Sequence, residues 1–142
     1  MLTPDYVVGL VDGEGSFTIY VKNPNHLKTR VRRVNVEPRF YVKLVAKDRC
    51  VLEDLKRFFR CGRVYSQVDK RRNHQDCFRF EVFNRKDLRN IIIPFFLENE
   101  LRFPSKIRDF KIFCRITEAM DRGEHLKEGG LRRIYRLKSK MH

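Results

Sequence analysis

An α+β fold of the order αββαββα is predicted by three observations. Hydrophobic spacing switches repeatedly between the helical and the alternating period, and each alternating stretch has one apolar and one polar side. No repeat, low-complexity stretch or linker interrupts the pattern. Four such strands make one four-stranded antiparallel sheet, with helices packed on its apolar face.

The first helix opens at Thr3-Pro4-Asp5. Thr3 suits the cap, Pro4 the first helical position, and Asp5 complements the helix dipole. Tyr6, Val7, Val8, Leu10 and Val11 make it apolar nearly all round, which predicts burial, and Gly13 and Gly15 should end it. Residues 16–22 alternate as a strand, with Phe17, Ile19 and Val21 against Ser16, Thr18, Tyr20 and Lys22. Asn23-Pro24-Asn25-His26 reads as a turn. In the second strand Val34, Val36, Phe40, Val42 and Leu44 oppose Arg33, Asn35, Glu37, Arg39, Tyr41 and Lys43, and Pro38 should mark a bulge or an edge. Asp48 is expected to cap a helix carrying Val51, Leu52, Leu55, Phe58 and Phe59, which Cys61-Gly62 ends. The third strand puts Arg63, Tyr65, Gln67 and Asp69 on one side. After the basic turn 70–74, the fourth strand (77–83) sets Phe78, Phe80 and Val82 against Arg79 and Glu81. Helices follow at about 86–97 and 105–120. The expected division is a domain at 1–121 and a basic segment at 122–142, a short helix or a mobile arm.

The chain has 142 residues, 42% of them hydrophobic, enough for one domain with its own core. Lys and Arg number 32 against 18 Asp and Glu, a net charge of +14. A domain so cationic repels itself unless an anion is near, and nucleic acid is the usual partner. A membrane is disfavoured, because no apolar run approaches the roughly 20 residues needed to span one and no basic amphipathic helix or lipidation signal is present. Cys50, Cys61, Cys77 and Cys114 lack zinc-site spacing, as do the four histidines. Free thiols and the lack of a signal peptide lead us to expect an intracellular, reducing compartment, bacterial cytoplasm or an organelle, and not secretion.

The polar side of the sheet is biased to Arg. Thr18, Tyr20, Lys22, Arg33, Asn35, Glu37, Arg39, Tyr41, Lys43, Arg63, Tyr65, Gln67, Asp69, Arg79 and Glu81 occupy it. The loops at its edges carry Lys28, Arg30, Arg32 and Arg33, then Lys70, Arg71 and Arg72. A merely solvated face would also be polar. Arg, Asn and Gln, however, are the side chains that bond base edges bidentately, while Lys and Arg hold phosphates. A ribbon of antiparallel strands fits the major groove, so double-stranded DNA is the expected ligand, and the scarcity of aromatics disfavours single-strand stacking.

The segment Val7-Val8-Gly9-Leu10-Val11-Asp12-Gly13-Glu14-Gly15 then carries the chemistry. Gly9 and Gly13 lie one turn apart, so they form a side-chain-free stripe on which a second helix can approach closely. Glu14 follows at the helix end, and a carboxylate is the hard oxygen ligand that Mg²⁺ takes. This pattern, with Ser16-Phe17, the strand-to-helix stretch 40–55, Cys61-Gly62 and Ile92-Ile93-Pro94-Phe95-Phe96, resembles the LAGLIDADG homing endonuclease family over about residues 3–120. One copy of the motif is present, and cutting both strands of a duplex needs two acids.

The resemblance implies a saddle-shaped sheet gripping DNA, and a single-motif homodimer paired through Tyr6, Val7, Val8, Gly9, Leu10, Asp12 and Gly13. It also implies phosphodiester hydrolysis with Mg²⁺ or another divalent cation such as Mn²⁺, with Ca²⁺ binding without cleavage. Glu14 and the Gly13 carbonyl would hold the metal, and Asp12 would bond backbone. A two-fold dimer implies a pseudo-palindromic target with half-sites about one helical turn apart. The family often has a polar residue near the place of Leu44. Here Lys43, Lys47 and Arg49 are the substitutes, and either Arg102 or Lys106 fills the expected basic position. The alternative is a nuclease-inactive, maturase-like protein that binds DNA or intron RNA on the same scaffold. A basic RNA-binding protein of ribosomal type is a more distant rival.

Overall fold

The computed structural model describes residues 1–22, 36–68 and 76–142. Their elements are α1 (Pro4–Glu14), β1 (Gly15–Val21), β2 (Val36–Val45), α2 (Arg49–Phe59), β3 (Arg63–Gln67), β4 (Cys77–Val82), α3 (Arg85–Asp87), α4 (Ile93–Glu98), α5 (Pro104–Asp121) and α6 (Glu128–Lys138). The strands are hydrogen-bonded in the order β1-β2-β4-β3, which is the expected αββαββα fold with its four-stranded sheet. β4 is antiparallel to both β2 and β3.

Local chemistry explains most boundaries. The Thr3 side chain accepts the Tyr6 N–H at 3.3 Å, as expected of a cap. Asn84 does the same for Asp87 at 3.2 Å, where the chain turns into α3. Asp48 departs from expectation. It sits in a short turn, Ala46–Asp48, and its carboxylate makes no capping bond, so it serves α2 only as a charge near the helix start. α2 ends at Arg60 (φ 56°), and Gly62 (φ 82°) follows. A Cβ at Gly62 would lie 2.7 Å from the Phe80 ring, so glycine is needed there for both backbone and space. Pro38 lies within β2, but the register with β4 begins only at Phe40, so its missing N–H costs that ladder nothing.

The chain divides into two compact units. The first comprises residues 1–16 and 40–103. Its core is built on Phe40, which meets Phe59, Phe80 and Phe96 edge-on with ring centroids 5.6 to 6.4 Å apart. Val7, Val11, Leu52, Leu55, Leu88 and Ile92 are buried in the same unit. A fully buried Phe contributes roughly 1.5–3 kcal/mol and each such ring pair about 0.5–1.5 more, so this cluster outweighs any ion pair on the surface. The second unit comprises residues 17–39 and 104–142. There Phe17 packs against Phe110 and Phe113, at 5.1 and 5.4 Å. α6 buries Leu131 and Ile134, and Gly130 lets its first turn approach Glu124, whose carbonyl oxygen lies 2.0 Å from where a Cβ would stand.

Candidate nucleic-acid interface and acidic corner

In the first unit the strand registers set three rows side by side, the first two polar throughout. Arg63, Glu81 and Tyr41 make one, Tyr65, Arg79 and Lys43 the next, and Gln67, Cys77 and Val45 the third. The rows are cross-braced. The Arg79 guanidinium lies over the Tyr41 ring at 3.8 Å, and that of Arg63 lies 5.0 Å from the Tyr65 ring and 5.3 Å from that of Phe83. The Tyr65 hydroxyl donates to a Glu81 carboxylate oxygen. Burial, then the bond to Glu81 and its charge, push the Tyr65 phenol above the usual tyrosine range.

Glu81 corrects the expectation of a uniformly wet face. It is fully buried, with Tyr41 and Arg63 opposite it across the two ladders and the Tyr65 hydroxyl bonded to it. It therefore braces the face rather than presenting itself to a ligand. Gln67 Oε1 and Arg79 Nε are also buried, and neither has a hydrogen-bond partner among the described residues. Such atoms cost stability unless a ligand or water satisfies them.

In the second unit β1 alternates as expected: Phe17 and Ile19 are buried, while Thr18 is half-buried and Tyr20 exposed. Thr18 Oγ1 donates to the Arg39 carbonyl at 3.5 Å, and Arg39 pairs with Glu37 at 3.3 Å. Lys22 is half-buried. Lys28, Arg30, Arg32, Arg33, Asn35, Asp69, Lys70, Arg71 and Arg72 lie outside the described residues, as do Val34 and the turns 23–26 and 70–74.

α1 separates its sides sharply. Val7, Val8, Val11 and Asp12 are buried, whereas Tyr6, Gly9 and Gly13 are exposed and Leu10 is half-buried. A Cβ added at Gly9 or Gly13 would meet no described atom within 4 Å. Among the described residues these two glycines thus serve no packing of the chain's own, which counts against the idea that they serve its own sheet. Gly15 is the opposite case, since a Cβ there would stand 2.7 Å from Val11 Cγ1 and 2.9 Å from the Val11 backbone. Of the residues expected to pair, Val7, Val8 and Asp12 are buried within the chain itself, which leaves Tyr6, Gly9, Leu10 and Gly13 as the accessible part of that surface. Asp12 Oδ1 accepts the backbone N–H groups of Arg102 and Phe103, each at 3.1 Å. Its charge is committed there, as expected of a residue that bonds backbone.

Glu14, the last residue of α1, is exposed. The final carbonyls of a helix have no intrahelical donor, which leaves that of Gly13 available beside it. One free carboxylate and one carbonyl suit a hard divalent cation as a partial ligand set. No group of three or more His, Cys, Asp or Glu among the described residues could enclose an ion. A cation there would need ligands beyond this corner.

The basic candidates differ in their engagement. Lys43 is half-buried in the sheet row opposite Arg79, and Lys47 is exposed in the turn before α2. Arg49 is engaged with Glu53 at 3.3 Å and with the Phe78 ring at 4.6 Å. The Arg102 side chain is exposed while its backbone binds Asp12. In the second unit, Lys106 is half-buried in the first turn of α5. A feature missed in the sequence is a cleft of about 700 Å³ beside the open face of α1, lined by Asp5, Val8, Gly9, Asp12 and residues 98–102. Glu98 and Glu100, two acids just after an apolar helix, were its only sequence signal.

Residues 7–117 match the family model of the LAGLIDADG endonuclease. Over 134 residues the chain is 33% identical to a probable intron-encoded endonuclease 2 of Neurospora crassa, a match that takes in 94% of this chain and 28% of that protein. The chain therefore spans less than a third of that relative. Among solved structures, the homing endonuclease I-TnaI superposes with a TM-score of 0.81 at 36% identity, over 99% of this chain and 88% of that one. I-SmaMI bound to uncleaved DNA target in the presence of calcium ions superposes with a TM-score of 0.83 at 31% identity, over 100% of this chain and 45% of that one.

Proposed function

The chain belongs to the LAGLIDADG endonuclease family, and from that premise we propose that it is a site-specific DNA endonuclease working as a pair of identical chains. It binds a long, pseudo-palindromic duplex and hydrolyses one phosphodiester in each strand with divalent metal. The observation that carries the reading is α1: an unobstructed glycine face that ends in an exposed carboxylate. Two copies meeting on Gly9 and Gly13 bring two Glu14 side chains together, which completes an acidic corner that one copy leaves partial.

Each part of the chain then has a task. Arg63, Arg79 and Gln67 address base edges, with Tyr65, Tyr41 and Glu81 fixing their posture. Thr18, Tyr20, Lys22 and Arg39 extend the contact along β1 and β2, joined by Asn35 and the basic loops 28–33 and 70–72. Lys43 and Lys47 hold phosphates, and Arg102 or Lys106 offsets negative charge near the cut. Glu14 and the Gly13 carbonyl would hold the cation. A bound Mg²⁺ or Mn²⁺ supplies activation of water and stabilisation of the departing oxygen. The uncleaved DNA with calcium in the I-SmaMI structure supports duplex DNA and a divalent ion as the partners. The same reading keeps the protein in a reducing compartment.

The test is a plasmid carrying a candidate insertion site, incubated with Mg²⁺ or with EDTA. Wild type should linearise it only with Mg²⁺, and Glu14→Gln should bind the same site without cutting. Equal cutting by both proteins would end the mechanism. Binding without cutting by wild type would favour the maturase-like alternative.

A further inference from the structure

Within the second unit, α5 has two sides of opposite character. Toward β1 it sends Phe110 and Phe113 onto Phe17. Arg108, Lys111 and Arg115 recur at intervals of three and four residues, so they share one exposed stripe. With Lys140 they rim a groove of about 500 Å³ floored by Pro104, Ile107 and Ile112, and no acidic residue lines it.

The pairing of these cations sets the groove apart. Nearby arginines are matched with acids: Arg122 and Arg133 with Glu124 at 2.8 and 3.1 Å, and Arg132 with Glu128 at 3.4 Å. Arg108, Lys111, Arg115 and Lys140 meet no acid among the described residues. Four unmatched cations over an apolar floor repel one another, and an anion with regularly spaced charges relieves that. No aromatic residue lines the groove, so stacked bases of a single strand have no platform there. Asn and Gln are absent too, so the groove offers cationic donors alone, the groups that hold phosphates, and no side-chain acceptor with which to tell base pairs apart.

We propose that this groove is a second, sequence-independent site for the phosphate backbone of duplex DNA. It takes a segment other than the one held on the sheet. Thr18 and Tyr20 alternate with Phe17 and Ile19, and α5 covers the Phe17 side, so one straight duplex cannot touch both surfaces. The chain therefore bridges two DNA segments, one read for sequence and one held by charge. This rests on the proposed function only for the identity of the first segment.

The test loads wild-type protein on an immobilised target duplex in Ca²⁺, then offers a labelled duplex of unrelated sequence at increasing salt. Wild type should retain the second duplex, with a log–log salt slope of roughly −3.6 for four phosphates. The variant Arg108→Gln/Lys111→Gln/Arg115→Gln/Lys140→Gln should retain the target but lose the second duplex at least tenfold, while Arg108→Lys/Arg115→Lys should keep it. Undiminished capture by the quadruple variant, or no capture by wild type holding its target, overturns the proposal. Preference for a structured RNA or an acidic peptide over the second duplex overturns it as well. Failure to hold the target duplex at all would count against the sheet reading instead.

Discussion

Asp12 Oδ1 accepts the backbone N–H of Phe103 at 3.1 Å, across ninety-one positions of chain, and Arg102 N–H at the same distance. Both bonds end on a carboxylate only 5% exposed. The acid of the motif that looks most like a second metal ligand is thus the tie between α1 and the turn that carries Arg102.

Removing that tie should be costly. A hydrogen bond to a charged group contributes about 1.5–3 kcal/mol, and here two backbone donors would be orphaned. Asp12→Ala should lower unfolding free energy by about 3 kcal/mol or more in urea titrations. Asp12→Asn, which sets amide protons near those donors, should fall between. A loss under about 1 kcal/mol for Asp12→Ala would contradict this role.

The three glycines of α1 and its end should separate stability from pairing. Ala at Gly9 or Gly13 meets no described atom, and replacing a helical glycine gains about 0.5–1 kcal/mol, so each protomer should hold steady or stabilise. The same changes should abolish the dimer in sedimentation and lower DNA cleavage. Gly15→Ala should behave conversely, destabilising by about 1–3 kcal/mol through its clash with Val11. Intact dimers of Gly9→Ala/Gly13→Ala would remove α1 as the pairing surface.

Tyr65 titrates above the usual tyrosine range because burial and Glu81 disfavour its phenolate. A raised folded value means that the group's contribution to stability is complete below the unfolded value. It is lost as pH rises through the folded one. Spectrophotometric titration near 295 nm should therefore show one late tyrosine, absent in Tyr65→Phe, and Glu81→Gln should bring it earlier. A Tyr65 that ionises with the exposed tyrosines would refute the brace.

The four thiols should differ in reactivity. Cys61 is pushed up to about 11 and Cys114 to about 12, mainly by burial, while Cys50 is exposed. At pH 8 a disulfide reagent should modify Cys50 first, with the half-buried Cys61 and Cys114 slower because less of each is thiolate. Modification of Cys114 as fast as that of Cys50 would count against its raised pKa.

Much of this was readable before any coordinates. Every strand follows from alternation, since one slip in register would turn Phe40, Val42 and Phe80 outward. Glu14 and the glycine stripe stood out because a glycine inside a helix needs a reason. What the sequence hid depends on neighbours far along the chain. The burial of Glu81 depends on Tyr41, Arg63 and Tyr65, which reach it from two other strands. The inward turn of Asp12 depends on a backbone ninety residues away. Likewise, Asp48 had the right residue type for a cap, but the short turn preceding α2 holds its backbone outside the extended conformation a cap adopts, and its carboxylate makes no capping bond.

Cleavage of a randomised duplex library in Mg²⁺, with recovery and sequencing of the cut molecules, bears on the whole account at once. Wild type should return long sites whose halves are related by a two-fold axis, cut on both strands, and Glu14→Gln should return none. Unrelated half-sites, or the same products from Glu14→Gln, would contradict a pair of identical chains sharing metal at their Glu14 corners.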